Sequence, residues 1–395
     1  MQSLEKKGKS ILKTLNDSGY EAFFVGGYVR DKLLNRPTKD IDITTNATPD
    51  TVQSLFKKTV LTGKAFGTVT VIIDNMPFEV TTYRHDMQYD NHRHPTEIKF
   101  ASTLKEDLSR RDFTINQLVM DFLGNVIDHF EGKKDLSNQL IKTIGNPLKR
   151  FEEDALRILR AFRFASTLGF KIETETLEAI KDKVSNIRKI SIERVQDELF
   201  LLLDGPFKPY VIEKMIETNT HKALHLKTGF KALSKLRTSD YNAIEACVLM
   251  QDETPFPYDK YHLSNKVKKK IETIQTIHQK TFNASFNSYV VFNYEMDDLL
   301  SANHVNILKG GIDQSSDIKR LKENLPIKDI KALAFKGDDI KKTLDLDSYR
   351  QISVILDELL KSVLDKSVDN TYQDLKKRAK QILAYLKDSE ENGKI

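Results

Sequence analysis

The 395-residue chain is poor in cysteine, in long apolar stretches and in net charge. Its single cysteine, Cys247, excludes an intramolecular disulfide and suits a reducing compartment. No run approaches the roughly 20 apolar residues that a bilayer span needs. Met1 to Leu15 is lysine-rich and amphipathic, without the continuous apolar segment of a secretory signal. The expectation is a cytoplasmic protein with no membrane partner. A formal charge of +5, with 30% of residues charged, permits nucleic-acid binding without demanding it, because affinity depends on where the cations cluster. A chain of this length holds roughly two to four cores. Nothing in it fixes an oligomeric state, and a homodimer stays open.

What is present divides in two. Up to about Gly145, helix and strand patterns alternate. The periodicity predicts helices at Glu5–Asn16 and Tyr28–Leu34 and strands at Ala22–Val25, Ile41–Thr45, Thr68–Ile73 and Phe78–Tyr83. A helix from Pro49 to Lys58 starts on a Thr48 cap with proline in the first turn. Asp74-Asn75 reads as the turn between two paired strands. After Pro147 the pattern is helical. Glu152–Leu168 reads as one helix stopped by Gly169, and Ser191 caps another that runs to Leu203. Further helices fall at Asn265–Lys280, Asp317–Glu323, Ser348–Leu364 and Thr371–Leu386. The fold class is α+β and multidomain: an α/β head followed by an all-α remainder.

The chemistry-bearing residues sit in the head and just beyond it. Asp40 and Asp42 flank Ile41 in a β-branched run, so both project from one strand face. Two like charges there raise each other's pKa unless a cation lies between them. They read as a divalent metal site suited to Mg²⁺, or as two solvated surface acids. Glu79, in Phe78-Glu79-Val80, would lie beside them as a third carboxylate. Two metal ions would then activate a 3′-hydroxyl and stabilise leaving pyrophosphate. Gly26-Gly27 opens a helix whose backbone N–H groups could meet phosphate oxygens, with Arg30 adding charge; a bare diglycine is equally a plain turn. Arg110-Arg111-Asp112 would neutralise a triphosphate, with Asp112 orienting a guanidinium or binding ribose, or would form a surface salt-bridge network.

Asp154, Arg157, Arg160 and Arg163 recur every third residue and would form one polar ridge on a helix. The plain alternative is a solvated charge pair. The sharper one is base selection. Cytosine and adenine both offer an amine donor beside a ring-nitrogen acceptor, which a carboxylate and a guanidinium match. Uracil and guanine do not. The histidine-rich stretch from Arg84 to Pro95 has no zinc-site spacing and reads as a mobile polar loop. Lys266–Lys270 and Lys376–Lys380 suit phosphate contacts or solvated helix faces equally.

Taken in order, these motifs resemble the class II bacterial tRNA nucleotidyltransferases, the CCA-adding enzymes, over essentially the whole chain. Gly26-Gly27-Tyr28-Val29-Arg30-Asp31 with Asp40-Ile41-Asp42 resembles the family's metal motif, and Arg110 to Asn116 its ribose-binding motif. Asp128 to Leu136 resembles the motif joining head to neck, Glu153 to Arg157 the amino-acid template, and Ser191 to Arg194 the last neck motif. The resemblance implies a polymerase-β-type nucleotidyltransferase head (1–146), a neck (147–205), a body (206–300) and a tail (301–395) that hold tRNA. It implies Mg²⁺ on Asp40 and Asp42. Incoming CTP or ATP would meet Gly26, Gly27, Arg30, Arg111, Asp112, Asn116, Asp154, Arg157, Arg160 and Arg163. The tRNA 3′ end would then be built or repaired to CCA without a nucleic-acid template. Gln117 departs from the family's usual alanine, which bears on packing. An unshortened Arg84–Thr96 segment favours full CCA addition. A-adding, CC-adding and poly(A)-adding relatives stay open, as does a catalytically silent RNA-binding protein.

Overall fold

The computed structural model describes residues 2–391, apart from 39, 64–66, 91–93, 237, 252–255, 258–259 and 347. The chain falls into two compact units, Met1–Leu263 and Ser264–Ile395. The first opens with α1 (Gln2–Asp17), β1 (Ala22–Val25), α2 (Gly27–Leu33), β2 (Asp42–Thr45), α3 (Pro49–Leu55), β3 (Thr59–Gly63), β4 (Thr68–Ile73) and β5 (Met76–Thr82). A hairpin of β6 (Arg84–Asp90) and β7 (His94–Phe100) follows, then α4 (Leu104–Ser109), β8 (Val119–Met120), β9 (Val126–Ile127) and α5 (Gly132–Ser137). The main sheet has the order β3-β4-β5-β2-β1-β8-β9. Central β2 pairs antiparallel with β1 and parallel with β5, placing Asp42 opposite both Val25 and Glu79.

Apolar residues on these strands bury Phe24, Ile43, Val69, Val71, Phe78 and Val80. Asp74 and Asn75 both take positive φ, 46° and 63°, which suits the tight turn between β4 and β5. Three expectations differ from the observed elements. The helix from Pro49 stops at Leu55, because Phe56 is extended (φ −120°, ψ 133°) and leads into β3. The Arg84–Pro95 segment forms the β6–β7 hairpin rather than a loop; residues 91–93 lie outside the described residues.

The third difference is in the helices after the head. Expected as one helix, Glu152–Leu168 is two: α6 (Pro147–Glu153) and α7 (Leu156–Leu168). They stand between β10 (Leu140–Ile141) and β11 (Lys171–Ile172), with α6 against α8 (Thr174–Lys183) and α7 against α9 (Ile192–Leu203). The break is at Asp154, whose backbone is extended (φ −145°, ψ 103°). Its carboxylate accepts from Leu156 N (3.0 Å), an aspartate taking a backbone donor that an unbroken helix would have used. Gly169 ends α7 at φ 78°, as expected. Ser166 on α7 donates to Leu202 O on α9 (2.7 Å).

The described elements between residues 264 and 391 are all helices, the longest at Asn265–Thr281, Tyr349–Leu364 and Tyr372–Glu391. Leu333, Phe335, Ile340, Ile355, Leu359, Leu375 and Ala379 close one apolar cluster there. Among the described residues no helix is long and apolar enough to cross a membrane.

Candidate active site

Asp42 begins β2, and its register partner Glu79 is exposed on neighbouring β5. Asp40 precedes the strand, exposed, with its carbonyl accepting from Thr38 Oγ1 (2.8 Å). Asp42 opens to solvent at the start of β2, but the protein packed around it still strips part of its hydration, and the charges of Asp40 and Glu79 add to this. Together they push its carboxyl up to about 6, against the pull of Arg111. The three carboxylates therefore act on one another as a negative centre. Their hard oxygens suit Mg²⁺, which binds one or two protein carboxylates and completes its shell with water and substrate phosphates. Among the described residues no set of three His, Cys, Asp or Glu side chains forms a ready-made cage, so any such ion would need ligands from elsewhere.

Gly26 follows β1 and caps α2 with φ 72° and ψ −134°. A Cβ there would lie 3.6 Å from Arg111 Nη1 and 3.8 Å from Asp42 Oδ2. Glycine thus meets a left-handed backbone and keeps the mouth between carboxylate and guanidinium open. At Gly27 a Cβ would stand 3.7 Å from Arg30 Nη2. Arg30 is buried, pairing with Asp31 (2.9 Å) and donating from Nη1 to Asn116 Oδ1 (2.7 Å).

From Arg30 a polar chain runs inward to the neck. Asn116 Nδ2 donates to Asp112 Oδ1 (3.0 Å), and Arg160 donates to Asp112 Oδ2 from Nε (2.7 Å) and Nη2 (2.6 Å). Burial raises the Asp112 pKa, but Arg160 and the Asn116 hydrogen bond outweigh it and hold the carboxyl at about 2. Arg160 also reaches Glu198 (3.4 Å), which takes Arg163 Nε at 2.5 Å. The guanidiniums of Arg30, Arg160 and Arg163 stand 5.0, 5.4 and 3.9 Å from the ring centre of Phe164.

The predicted ridge is therefore split. Arg160 joins the head through Asp112 and Arg163 turns to Glu198, while Arg157 turns to Glu153 (2.9 Å) and to the carbonyl of Arg110 (2.8 Å). Asp154 pairs with Arg194 (2.8 Å) on α9. Spacing missed Arg194 as the partner of Asp154, although it ends a motif read from the sequence; it missed Glu198 and Phe164 altogether. Beneath the Arg110–Asn116 turn, Asp128 accepts from Gly132 N and Lys133 N, both at 2.9 Å, and Asp135 accepts from Thr114 Oγ1 (2.7 Å). Gln117 donates to Asp128 (2.6 Å).

Three family models match the chain: the poly A polymerase head domain over residues 22–142, a probable RNA- and SrmB-binding site of polymerase A over 169–228, and a putative tRNA nucleotidyltransferase domain 2 over 256–379. The CCA-adding enzyme of Bacillus pumilus is 38% identical over 91% of this chain and 93% of its own. That of Staphylococcus haemolyticus is 35% identical over 96% and 98%. The crystal structure of the Bacillus stearothermophilus CCA-adding enzyme in complex with CTP superposes with a TM-score of 0.85 at 30% identity, covering 99% of this chain and 100% of that one. With a polymerase-type head sheet, helices behind it and relatives of this identity along nearly the whole length, the chain belongs to the CCA-adding enzymes, a family of tRNA nucleotidyltransferases.

Proposed function

We propose that the chain adds or repairs the 3′-terminal CCA of tRNA from CTP and ATP, without a nucleic-acid template and with release of pyrophosphate. The observation that carries this reading is the mouth at Gly26, where Asp42 and Arg111 face one another beside Glu79. Carboxylates for a cation and a guanidinium for phosphate stand there within reach of one substrate. Mg²⁺, bound as one or two ions at Asp40 and Asp42, would supply the charge that eases deprotonation of the 3′-hydroxyl and departure of pyrophosphate. Arg111 and Arg30 would bind phosphate, the Gly26-Gly27 backbone would let it approach, and Asp112 and Asn116 would hold the ribose side. Head 1–146 and neck 147–205 would carry the nucleotide. Body 206–300 and tail 301–395 would carry the acceptor arm of tRNA, with Lys266–Lys270 and Lys376–Lys380 as phosphate contacts. The reducing cytoplasm suits the buried thiol of Cys247.

The test supplies tRNA lacking its 3′ end with each labelled nucleotide separately and sizes the product. Three added residues with CTP required are expected. An open-ended tail from ATP alone would assign a poly(A) polymerase; CC alone or A alone would assign the partial enzymes. Binding without incorporation would assign a silent RNA-binding protein.

Base choice belongs to Asp154 and Arg157 in this proposal, once a base edge replaces Arg194 and Glu153 as their partners. Asp154→Ala should therefore lower the preference for C and A over U and G by about 10- to 100-fold. Arg194→Ala, which leaves the carboxylate in place, should keep the preference. Competition assays with all four nucleotides read both, and equal selectivity in Asp154→Ala and the parent would remove the assignment.

The high pKa of Asp42 gives a pH signature. Without a cation its carboxyl is protonated below about pH 6, and a cation needs the ionised form, so metal affinity should fall as pH drops through that value. Raising Mg²⁺ should move the acid limb of the incorporation rate to lower pH. A limb that ignores Mg²⁺ would mean that some other group titrates.

A further inference from the structure

One carboxylate of the head has no exposure at all, yet touches three separate segments around the mouth. Asp107 on α4 is fully buried. Its Oδ1 accepts from Arg110 Nη2 (2.8 Å) and Nε (3.0 Å) and from the backbone of Arg84, the first residue of β6 (3.3 Å). Its Oδ2 accepts from Thr44 Oγ1 on β2 (3.2 Å) and from Arg111 Nη2 (3.4 Å). Arg110 is held on its near side with two short bonds, and its carbonyl is the one Arg157 reaches.

Arg111 is held differently. Its contact with Asp107 is long, its buried Nε has no hydrogen-bond partner among the described residues, and its Nη1 lies at the Gly26 mouth beside Asp42. A guanidinium with donors left over and one fixed anchor is suited to receive a further anion. Without the anchor, the pull of Asp42, Asp40 and Glu79 would draw it onto the carboxylates. The geometry points to Asp107 as the positioning residue that aims Arg111 at the triphosphate and keeps it off the metal-binding acids. This deepens the proposed function and rests on it, since it takes Arg111 as a phosphate ligand. Asp107 touches no substrate; it acts through Arg111 alone, while its bonds to Arg110, Arg84 and Thr44 hold the surrounding backbone.

A double-mutant cycle separates the two roles. Asp107→Asn keeps an acceptor for the Arg84 N–H and removes the charge that orients the guanidiniums. It should lower kcat/KM for CTP and ATP by about 10- to 100-fold and leave KM for tRNA unmoved. In an Arg111→Ala background the same change should cost less than about twofold; in an Arg110→Ala background it should keep its full cost. Additive losses with Arg111→Ala, or a loss that disappears with Arg110→Ala, would overturn the inference. If Asp107→Asn melts below the assay temperature, Thr44→Val serves. It removes a bond to the same oxygen that receives Arg111, and it should show the same coupling at smaller amplitude. Wild-type protein that adds neither CMP nor AMP to truncated tRNA would instead overturn the functional reading itself.

Discussion

Asp42→Ala should abolish incorporation of both CMP and AMP, by about 10³-fold or more, while binding of tRNA survives. The size of the effect follows from position. Asp42 is the one carboxylate on a central strand; it stands opposite Glu79 and reaches the mouth from which Arg111 would approach phosphate. Asp40 lies before the strand and Glu79 on its neighbour, so neither holds that central position. Stability should move the other way. A carboxyl whose pKa is higher in the folded state than in the unfolded one, about 6 against an ordinary 3.8, destabilises the fold where it is ionised. That cost is present above about pH 6 and fades as pH falls toward 4. Asp42→Ala should therefore melt no lower than the parent at pH 7. Lost activity with unchanged or raised Tm marks a chemical defect; retained activity would take the metal assignment away from Asp42.

Local rules reached the head further than they reached the neck. The β1 and β4 boundaries, Ala22–Val25 and Thr68–Ile73, were readable because an aromatic-rich run and a β-branched run end there on turn residues. The β6–β7 hairpin was hidden because its strands are polar and histidine-rich, and its pairing depends on where Asp107 and Tyr83 hold its two ends. The α6–α7 break was hidden for another reason. Phe151, Ala155, Leu156 and Leu159 keep an apolar period through it, while Asp154 leaves the helix to accept from Leu156 N and to pair with Arg194, 40 residues away. Asp107 stands three and four residues before Arg110 and Arg111, a helical spacing that could have been read. Glu198 could not: its partners Arg160 and Arg163 are 38 and 35 residues distant, and only the packing of α9 on α7 brings them together. Carboxylates adjoining a recognisable motif were therefore legible, and those that tie one element to another were not.

Asp112→Ala should cost about 3–5 kcal/mol of stability together with most nucleotide affinity, because it leaves partners rather than merely removing a contact. Arg160 loses a two-pronged pair of 2.6 and 2.7 Å, Asn116 loses the acceptor that fixes its amide, and Arg30 then loses the oriented Asn116 oxygen. Glu198 alone would have to balance both Arg160 and Arg163 beside Phe164. Asp112→Asn keeps the shape and one acceptor and should lose less. The acid side supplies a signature of its own. In the folded protein Asp112 titrates at about 2 against an ordinary 3.8, so its ionised form contributes roughly 2 kcal/mol above pH 4. That contribution is lost as pH falls from about 4 to about 2. Urea denaturation at pH 7 and at pH 3 reads it: the parent should lose stability on acidification by more than Asp112→Asn does. Equal losses in the two would mean that Asp112 is not the carboxylate whose charge binds head to neck. The KM for CTP decides the rest. Since Arg160 and Arg30 are both oriented through Asp112, a variant that folds but cannot hold them should need about tenfold more CTP or worse, whereas an unchanged KM would leave Asp112 a structural residue only.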